Sequence, residues 1–308
     1  MSDKRFYVTT PIFYVNDRPH IGTAYTMVAC DVTARYHRAA GYETRFLTGL
    51  DEHGQKIAQA ADAQSMEPQA FVDKMSRPFF DAWSVLGFSH DDLIRTTESR
   101  HKEAVRSLWR AVAKSGDIYL GEYDGLYCVG CEAYFTEKDL VDGGKCPMGH
   151  GEVKRVRMPS YFFRLSRYQQ PLLDFYAENP GFVRPESRMN EVVSFVRDGL
   201  KDISVSRSSF RWGIQVPEDD DHVMYVWFDA LSNYITALGW PGDRDGLMAR
   251  FWPHAHHVIG KDILRFHAVY WPAMLLSAGQ APPHTVFAHG WLTINGRKMS
   301  KTLRNTVD

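Results

Sequence analysis

The sequence predicts an α/β fold with a doubly wound, mainly parallel sheet, because apolar strand-like runs alternate with helical stretches near both ends of the chain. The first run covers residues 5–10, and apolar residues at helical spacing follow over 20–41, ending at Gly41. A second run covers 44–50, and a second helix is predicted over 53–64. This order of strand, helix, strand and helix is typical of a Rossmann-type nucleotide-binding domain.

The middle of the chain departs from this alternation. Residues 116–210 contain short segments and a part rich in glycine and metal-ligating residue types, which we interpret as a connective insertion. Apolar runs that lead into helices or loops resume at 222–239, 256–278 and 284–292. The expected division is a first Rossmann half at 1–115, the insertion at 116–210, a second Rossmann half at 211–284, and a terminal loop region at 285–308.

Composition sets limits on the class of protein. The 308 residues carry a formal net charge of -1, so a nucleic acid would have to bind a local patch rather than an overall basic field. The N-terminal residues lack an apolar signal region, and no segment approaches the roughly 18 apolar residues of a membrane helix. We therefore expect a cytoplasmic protein without a membrane partner.

Within the insertion, two closely spaced pairs of metal-ligating residues predict a zinc knuckle. The pairs are Cys128 with Cys131, and Cys146 with His150, and three thiolates with one imidazole suit tetrahedral Zn²⁺ in a structural role. His150 is the least typical ligand, because three residues rather than two separate it from Cys146. The alternative is a set of reduced cysteines without metal, and Cys30, alone in an apolar helix, is expected to be a core residue.

Two loops, one near each end of the chain, could contact a phosphate. His20 and Gly22 lie where the first predicted helix begins, and a helix N-terminus after a strand offers N–H groups and a positive dipole to an anion. Near the other end, Lys298 and Lys301 lie in a loop of small residues. Taken alone, the first segment is better explained as an ordinary helix start, and the second as a solvated basic turn.

These two loops together resemble the signatures of the class I aminoacyl-tRNA synthetases, which are written HIGH and KMSKS. The chain has His-Ile-Gly-Thr at 20–23 and Lys-Met-Ser-Lys-Thr at 298–302. In sequence order, a wider set of segments is similar to the methionyl-tRNA synthetases: 6–22, 47–57, 225–231, 259–275 and 296–302. The resemblance runs from about residue 6 to the last residue.

The resemblance implies that L-methionine is activated by ATP, with Mg²⁺, to methionyl-adenylate, and that in the full-length family methionine is transferred to tRNA(Met). It implies a catalytic role for His20, Lys298 and Lys301, the two lysines neutralising the departing pyrophosphate. The implied ATP-binding residues are His20, Gly22, Thr23, Gly260, Asp262, Lys298 and Lys301. The implied methionine-binding residues are Ile12, Tyr14, Asp51, Trp227, Ala230, Tyr234, Ile263 and His267.

Local alternatives accompany several of these assignments. Asp51 would otherwise be interpreted as a helix cap, and Asp262 could equally cap the helix that follows it. Ile12, Trp227 and Ile263 would otherwise be interpreted as core residues.

The chain also departs from the family pattern. Thr23 replaces the second histidine of the first signature, Leu50 replaces a residue that is more often small and polar, and Arg304 replaces a usual glycine. We also expect the anticodon-binding domain of the full-length family to be absent, which would weaken binding of tRNA(Met). Two alternatives stay open. One is a short paralogue that activates methionine or a related amino acid for another acceptor, and the other is a non-catalytic binding relative.

Overall fold

The computed structural model describes residues 4–128, 133–135, 137, 140–149, 151–243 and 245–299. Its α-helices are α1 (Ile21–Ala39), α2 (Gln55–Ala63), α3 (Pro68–Val85), α4 (Ser99–Lys114), α5 (Gln169–Glu178), α6 (Glu186–Arg197), α7 (Val226–Leu231), α8 (Asn233–Thr236), α9 (Leu247–Phe251) and α10 (Trp271–Ser277). Its strands are β1 (Arg5–Thr9), β2 (Phe13–Tyr14), β3 (Glu43–Asp51), β4 (Asp92–Arg95), β5 (Ile118–Cys128), β6 (Ala133–Phe135), β7 (Lys154–Phe163), β8 (Val183–Arg184), β9 (Ile203–Ser204), β10 (Ser206–Arg207), β11 (Gln215–Val216), β12 (Asp219–Met224), β13 (Ala255–Gly260), β14 (Thr285–His289), β15 (Thr293–Ile294) and β16 (Arg297–Lys298).

The main sheet, as far as the described residues define it, has seven strands and is parallel throughout. Its path is β2-β3-β1-β13-β14-β8, and β4 pairs with β3. The register aligns Tyr7 of β1 with Arg45 of β3 on one side and with Ala255 of β13 on the other. The predicted α/β class with a parallel, doubly wound sheet is confirmed.

Helices cover both faces of this sheet. Side chains alternate along its buried strands, so each strand contributes apolar residues to both faces. Phe6 and Val8 of β1 belong to one apolar cluster, which includes Met27 and Cys30 of α1. Tyr7, between them, belongs to a second cluster that includes the buried side of α4. Cys30 is fully buried, which agrees with the expectation that it is a core residue.

The sheet has its topological switch point beside β1. The chain leaves β1 for α1 and then adds β3 on one side, whereas the strand on the other side, β13, comes from the second half of the chain. Ligands in open α/β sheets bind at the carboxyl ends of such strands. A binding cleft is therefore expected where β1 and β13 end, at about Thr10 and Gly260.

The described residues also form smaller antiparallel sheets. Strands β6, β5, β7 and β9 form one such sheet, β10, β12 and β11 form another, and β15 pairs with β16. The segment 116–210 also supplies β8, whose Val183 pairs with Val286 of β14 in the main sheet. Across the described ranges, no helix is long and apolar enough to cross a membrane.

Candidate active site

A cleft of about 660 Å³ opens at the carboxyl ends of β1 and β13, where the topology places a ligand site. The predicted ATP- and methionine-binding residues whose side chains are described all line it: Ile12, Tyr14, His20, Gly22, Thr23, Asp51, Trp227, Ala230, Tyr234, Gly260, Asp262, Ile263 and His267. Their binding roles stay predictions. Lys298 is described through its backbone, in β16, and Lys301 lies outside the described residues.

His20 caps the N-terminus of α1 and faces the cleft. Its Nδ1 accepts a hydrogen bond of 3.0 Å from the backbone N–H of Gly22. In the neutral ring, Nε2 therefore carries the proton and is a donor. A Cβ atom at Gly22 would lie 2.8 Å from Cε1 of His20, so glycine is needed for the ring to fold over the helix start. This corner combines the N–H groups of a helix start with an imidazole, an arrangement that suits an anion.

A second glycine faces the cleft from β13. A Cβ atom at Gly260 would lie 2.6 Å from Oδ1 of Asp262, so the carboxylate can approach the backbone only because residue 260 is glycine. The same oxygen accepts a hydrogen bond of 3.4 Å from the Trp291 indole, and Nζ of Lys261 lies 3.9 Å from the centre of that indole. The carboxylate is thus held at the cleft by an aromatic side chain from the segment after β14.

A buried histidine and tyrosine form the inner end of the cleft. Nδ1 of His267 lies 3.0 Å from the carbonyl of Ile263, which can only accept, so Nδ1 carries the proton. Nε2 then accepts from the Tyr234 hydroxyl at 2.7 Å. Burial lowers the pKa of His267 to about 4, so the ring is neutral at physiological pH. His267 lies in a π-helical turn, Phe266–Tyr270, a local irregularity that is frequent at functional sites.

The neighbouring wall of the cleft is apolar and aromatic. Trp227 stacks on Phe266 with ring centres 3.8 Å apart, and Ala230 follows it on α7. Asp51 lies at the end of β3, where it is 8% exposed and pairs in register with Tyr14. A carboxylate beside an apolar pocket suits an amino acid that has an α-ammonium group and an apolar side chain.

His289 is a cleft residue that the sequence analysis did not single out. Its Nδ1 lies 2.8 Å from the carbonyl of Gly290 and therefore donates, and Nε2 accepts from Thr26 at 2.9 Å when the ring is neutral. The sequence did contain a signal. His289 ends an apolar run that becomes β14, and the carboxyl end of a parallel strand is where ligand-facing residues occur.

The predicted zinc ligands are described in part. Cys128 ends β5, and Cys146 lies in a turn further along the insertion. Each of the two side chains is 1% exposed. The backbone N–H of Met148 donates to the Cys146 sulfur at 3.4 Å. Cys131 and His150 lie outside the described residues, and within the described ones no group of three or more metal-ligating side chains is found.

The comparisons with known proteins decide the family. The family model described as tRNA synthetases class I (M) matches residues 6–157 and 150–308. The chain belongs to this family. Among similar curated proteins, the methionine–tRNA ligase of Rickettsia felis is 55% identical over 303 residues, and that of Caldanaerobacter subterraneus is 50% identical over 305 residues.

Solved structures agree with this placement in the class I synthetases. The Mycobacterium tuberculosis methionyl-tRNA synthetase in complex with methionyl-adenylate matches 99% of this chain with a TM-score of 0.94 and 50% identity. The free form of the same enzyme matches 94% of the chain with a TM-score of 0.81 and 47% identity. This chain covers 60% and 56% of those two solved chains. The matches to the two curated relatives span 98% and 99% of this chain, but 59% and 48% of the length of those relatives.

Proposed function

We propose that this class I synthetase activates L-methionine with ATP to form methionyl-adenylate, and that tRNA(Met) is the final acceptor. One observation supports this most strongly. Residues that the family resemblance assigns to the nucleotide and residues that it assigns to methionine come from four distant segments and line the same cleft. The similarity to a synthetase that binds methionyl-adenylate supports the same reaction.

The chemistry needs positioning and charge stabilisation rather than an enzyme nucleophile. A carboxylate oxygen of methionine attacks the α-phosphorus of ATP, a C–O–P linkage forms, and the bond to the β-phosphate oxygen breaks so that pyrophosphate leaves. Asp51 would pair with the α-ammonium group, and the wall around Trp227 and His267 would receive the thioether. The Nε2–H of His20 would donate to the phosphate. Mg²⁺ bound with ATP would neutralise phosphate charge, as would the two lysines of the terminal loop.

The defining experiment is exchange of labelled pyrophosphate into ATP by the 308-residue chain. We expect exchange that depends on L-methionine and is at least 100-fold weaker with alanine, because alanine cannot fill the apolar wall. Leucine and norleucine would be compared in the same assay, and transfer to tRNA(Met) would be measured separately. Absence of methionine-dependent exchange by the folded protein would refute the proposed activity.

The two alternatives predict different results in these assays. A paralogue with another acceptor would catalyse exchange without charging tRNA even at high protein concentration. A non-catalytic relative would bind methionine without exchange. The cleft retains His20 and Asp51, which favours an enzyme over a non-catalytic relative. The similar curated proteins are methionine–tRNA ligases, which favours tRNA(Met) over another acceptor.

We also propose that Cys128, Cys131, Cys146 and His150 hold a structural Zn²⁺. The described donors fit this ion. Both sulfurs are buried, and an N–H donated to the sulfur of Cys146 is a contact that stabilises a thiolate. When bound, the ion would cross-link β5 to the turn that contains Cys146 and so stabilise the insertion.

Elemental analysis is expected to find about one zinc per chain, because the two ligand pairs supply one tetrahedral set of three thiolates and one imidazole. Cys146→Ser should reduce the zinc content by more than half and increase proteolysis within 128–152. Cys30→Ser is the matched control, since Cys30 lies on the buried face of α1 and its substitution should leave the zinc content unchanged. Equal zinc content in the parent and in Cys146→Ser would contradict the assignment.

A further inference from the structure

A buried carboxylate outside the cleft connects two of its walls. Asp229 is 1% exposed, and each of its oxygens accepts a hydrogen bond from a histidine. Nδ1 of His53 lies 2.6 Å from Oδ2, and Nε2 of His101 lies 2.7 Å from Oδ1. Burial alone would raise the pKa of Asp229, but the two imidazoles lower it to about 2, so it is an acceptor-only carboxylate at neutral pH. Both histidines therefore donate, which fixes the tautomer of any neutral ring.

The three residues belong to segments that reach the cleft or lie behind it. Asp229 lies on α7 between Trp227 and Ala230, both of which face the cleft. His53 is two residues beyond Asp51, in the turn that follows β3. His101 is fully buried on α4 and contacts Asp229 from there. One carboxylate thus connects the apolar wall of the cleft to the turn after its acidic residue.

The turn at 51–54 is also held by contacts with β4, with α3 and with the loop that contains Trp212. The buried Glu52 carboxylate accepts from Arg95 at 2.7 Å and from Ser76 at 2.8 Å. The Trp212 indole donates to the Glu52 carbonyl at 2.6 Å, and the Gly54 N–H donates to the Trp212 carbonyl. The turn is therefore a fixed point. In contrast, α7 has six residues, which is too short to hold its position without tertiary contacts.

We propose that Asp229 is a positioning residue for amino-acid binding, which sets the distance between Asp51 and the apolar wall of α7 through His53 and His101. This inference rests on the proposed function, because it assigns the two walls to the two ends of methionine. It distinguishes the amino-acid half of the cleft from the nucleotide half around His20 and Gly260, which Asp229 does not contact in the described structure.

Paired substitutions at His53 separate positioning from simple filling of space. His53→Leu removes the donor and retains bulk, whereas His53→Asn keeps an N–H close to the position of Nδ1. We expect His53→Leu to raise KM for methionine about tenfold or more, because small misplacements of binding groups are costly, while KM for ATP changes less than twofold. His53→Asn should keep KM for methionine within about threefold of the parent value. If His53→Leu does not fold, His101→Leu and His101→Gln form an equivalent pair, since a glutamine amide can replace Nε2.

Asp117→Asn is the matched control for loss of a buried carboxylate. Asp117 is 4% exposed and accepts from Tyr168 and Ser277, outside the residues that line the cleft. The Asp117→Asn substitution should lower the melting temperature without raising KM for methionine. The inference would be overturned, and the proposed function left standing, by either of two results. One is that His53→Leu raises KM for methionine and KM for ATP equally, and the other is that KM for methionine is lower in His53→Leu than in His53→Asn. Absence of methionine-dependent exchange in the parent protein would overturn both.

Discussion

His20→Asn is expected to lower kcat for methionine-dependent pyrophosphate exchange by 100-fold or more while leaving the melting temperature within about 2 °C of the parent value. The amide oxygen of asparagine can accept the Gly22 N–H in place of Nδ1, so the cap of α1 is retained. The shorter side chain cannot place a donor where Nε2 lies. Loss of one preorganised donor to developing phosphate charge costs about 100- to 1,000-fold in rate.

The companion variant His20→Ala separates the two roles of the ring. It removes both the cap and the donor, so it should lose as much activity as His20→Asn and in addition about 1 kcal/mol of stability. Exchange kinetics and thermal unfolding of the three proteins provide the measurement. If His20→Asn kept the parent kcat and only His20→Ala lost it, His20 would be a helix cap and not a phosphate contact.

The parts of this site that the sequence predicts are those with a local signal. His20 and Gly22 follow an apolar run and lie at the start of an amphipathic helix, so their place near the carboxyl end of a strand can be worked out from the neighbouring residues. Gly260 ends β13 and Asp262 follows it, and the family resemblance assigned both residues to the nucleotide. The family resemblance added the apolar wall, because Trp227 and Ile263 have no local feature that distinguishes them from core residues.

The parts that could not be predicted depend on contacts between distant residues. Asp229 lies 176 positions from His53 and 128 from His101, and no periodicity or motif relates such pairs. Strand β8 has two residues, Val183–Arg184, too few to show the alternation of a strand. Its place in the main sheet follows from the pairing with β14, although the surrounding segment has the composition of an insertion.

Acidification is expected to reduce the free energy of unfolding by about 2.7 kcal/mol per pH unit between pH 6 and 5 through one pair of groups, beyond the contribution of the other titrating groups, which include the half-buried His256. The cause is two fully buried histidines. Burial lowers the pKa of His267 to about 4 and holds that of His257 well below its ordinary value. Each ring is neutral in the folded protein but binds a proton on unfolding below about pH 6.5. The unfolded state therefore binds more protons, so stability is fully present above pH 6.5 and falls as the pH falls towards 4.

His257→Asn tests this origin, because His257 contacts Thr9 through Nδ1 at 2.8 Å and an asparagine amide can replace that contact. The variant will be less stable at every pH, since it leaves a cavity, but the slope of stability against pH should fall by about 1.4 kcal/mol per unit. Trp271→Phe is the control: Trp271 is equally buried and does not titrate, so it should lower stability without changing the slope. Urea denaturation at half-unit pH intervals measures the free energy of unfolding of the parent protein, His257→Asn and Trp271→Phe. A parental slope in His257→Asn would show that the acid sensitivity arises elsewhere, whereas a reduced slope would show that the buried imidazole beneath the cleft makes the fold sensitive to acid.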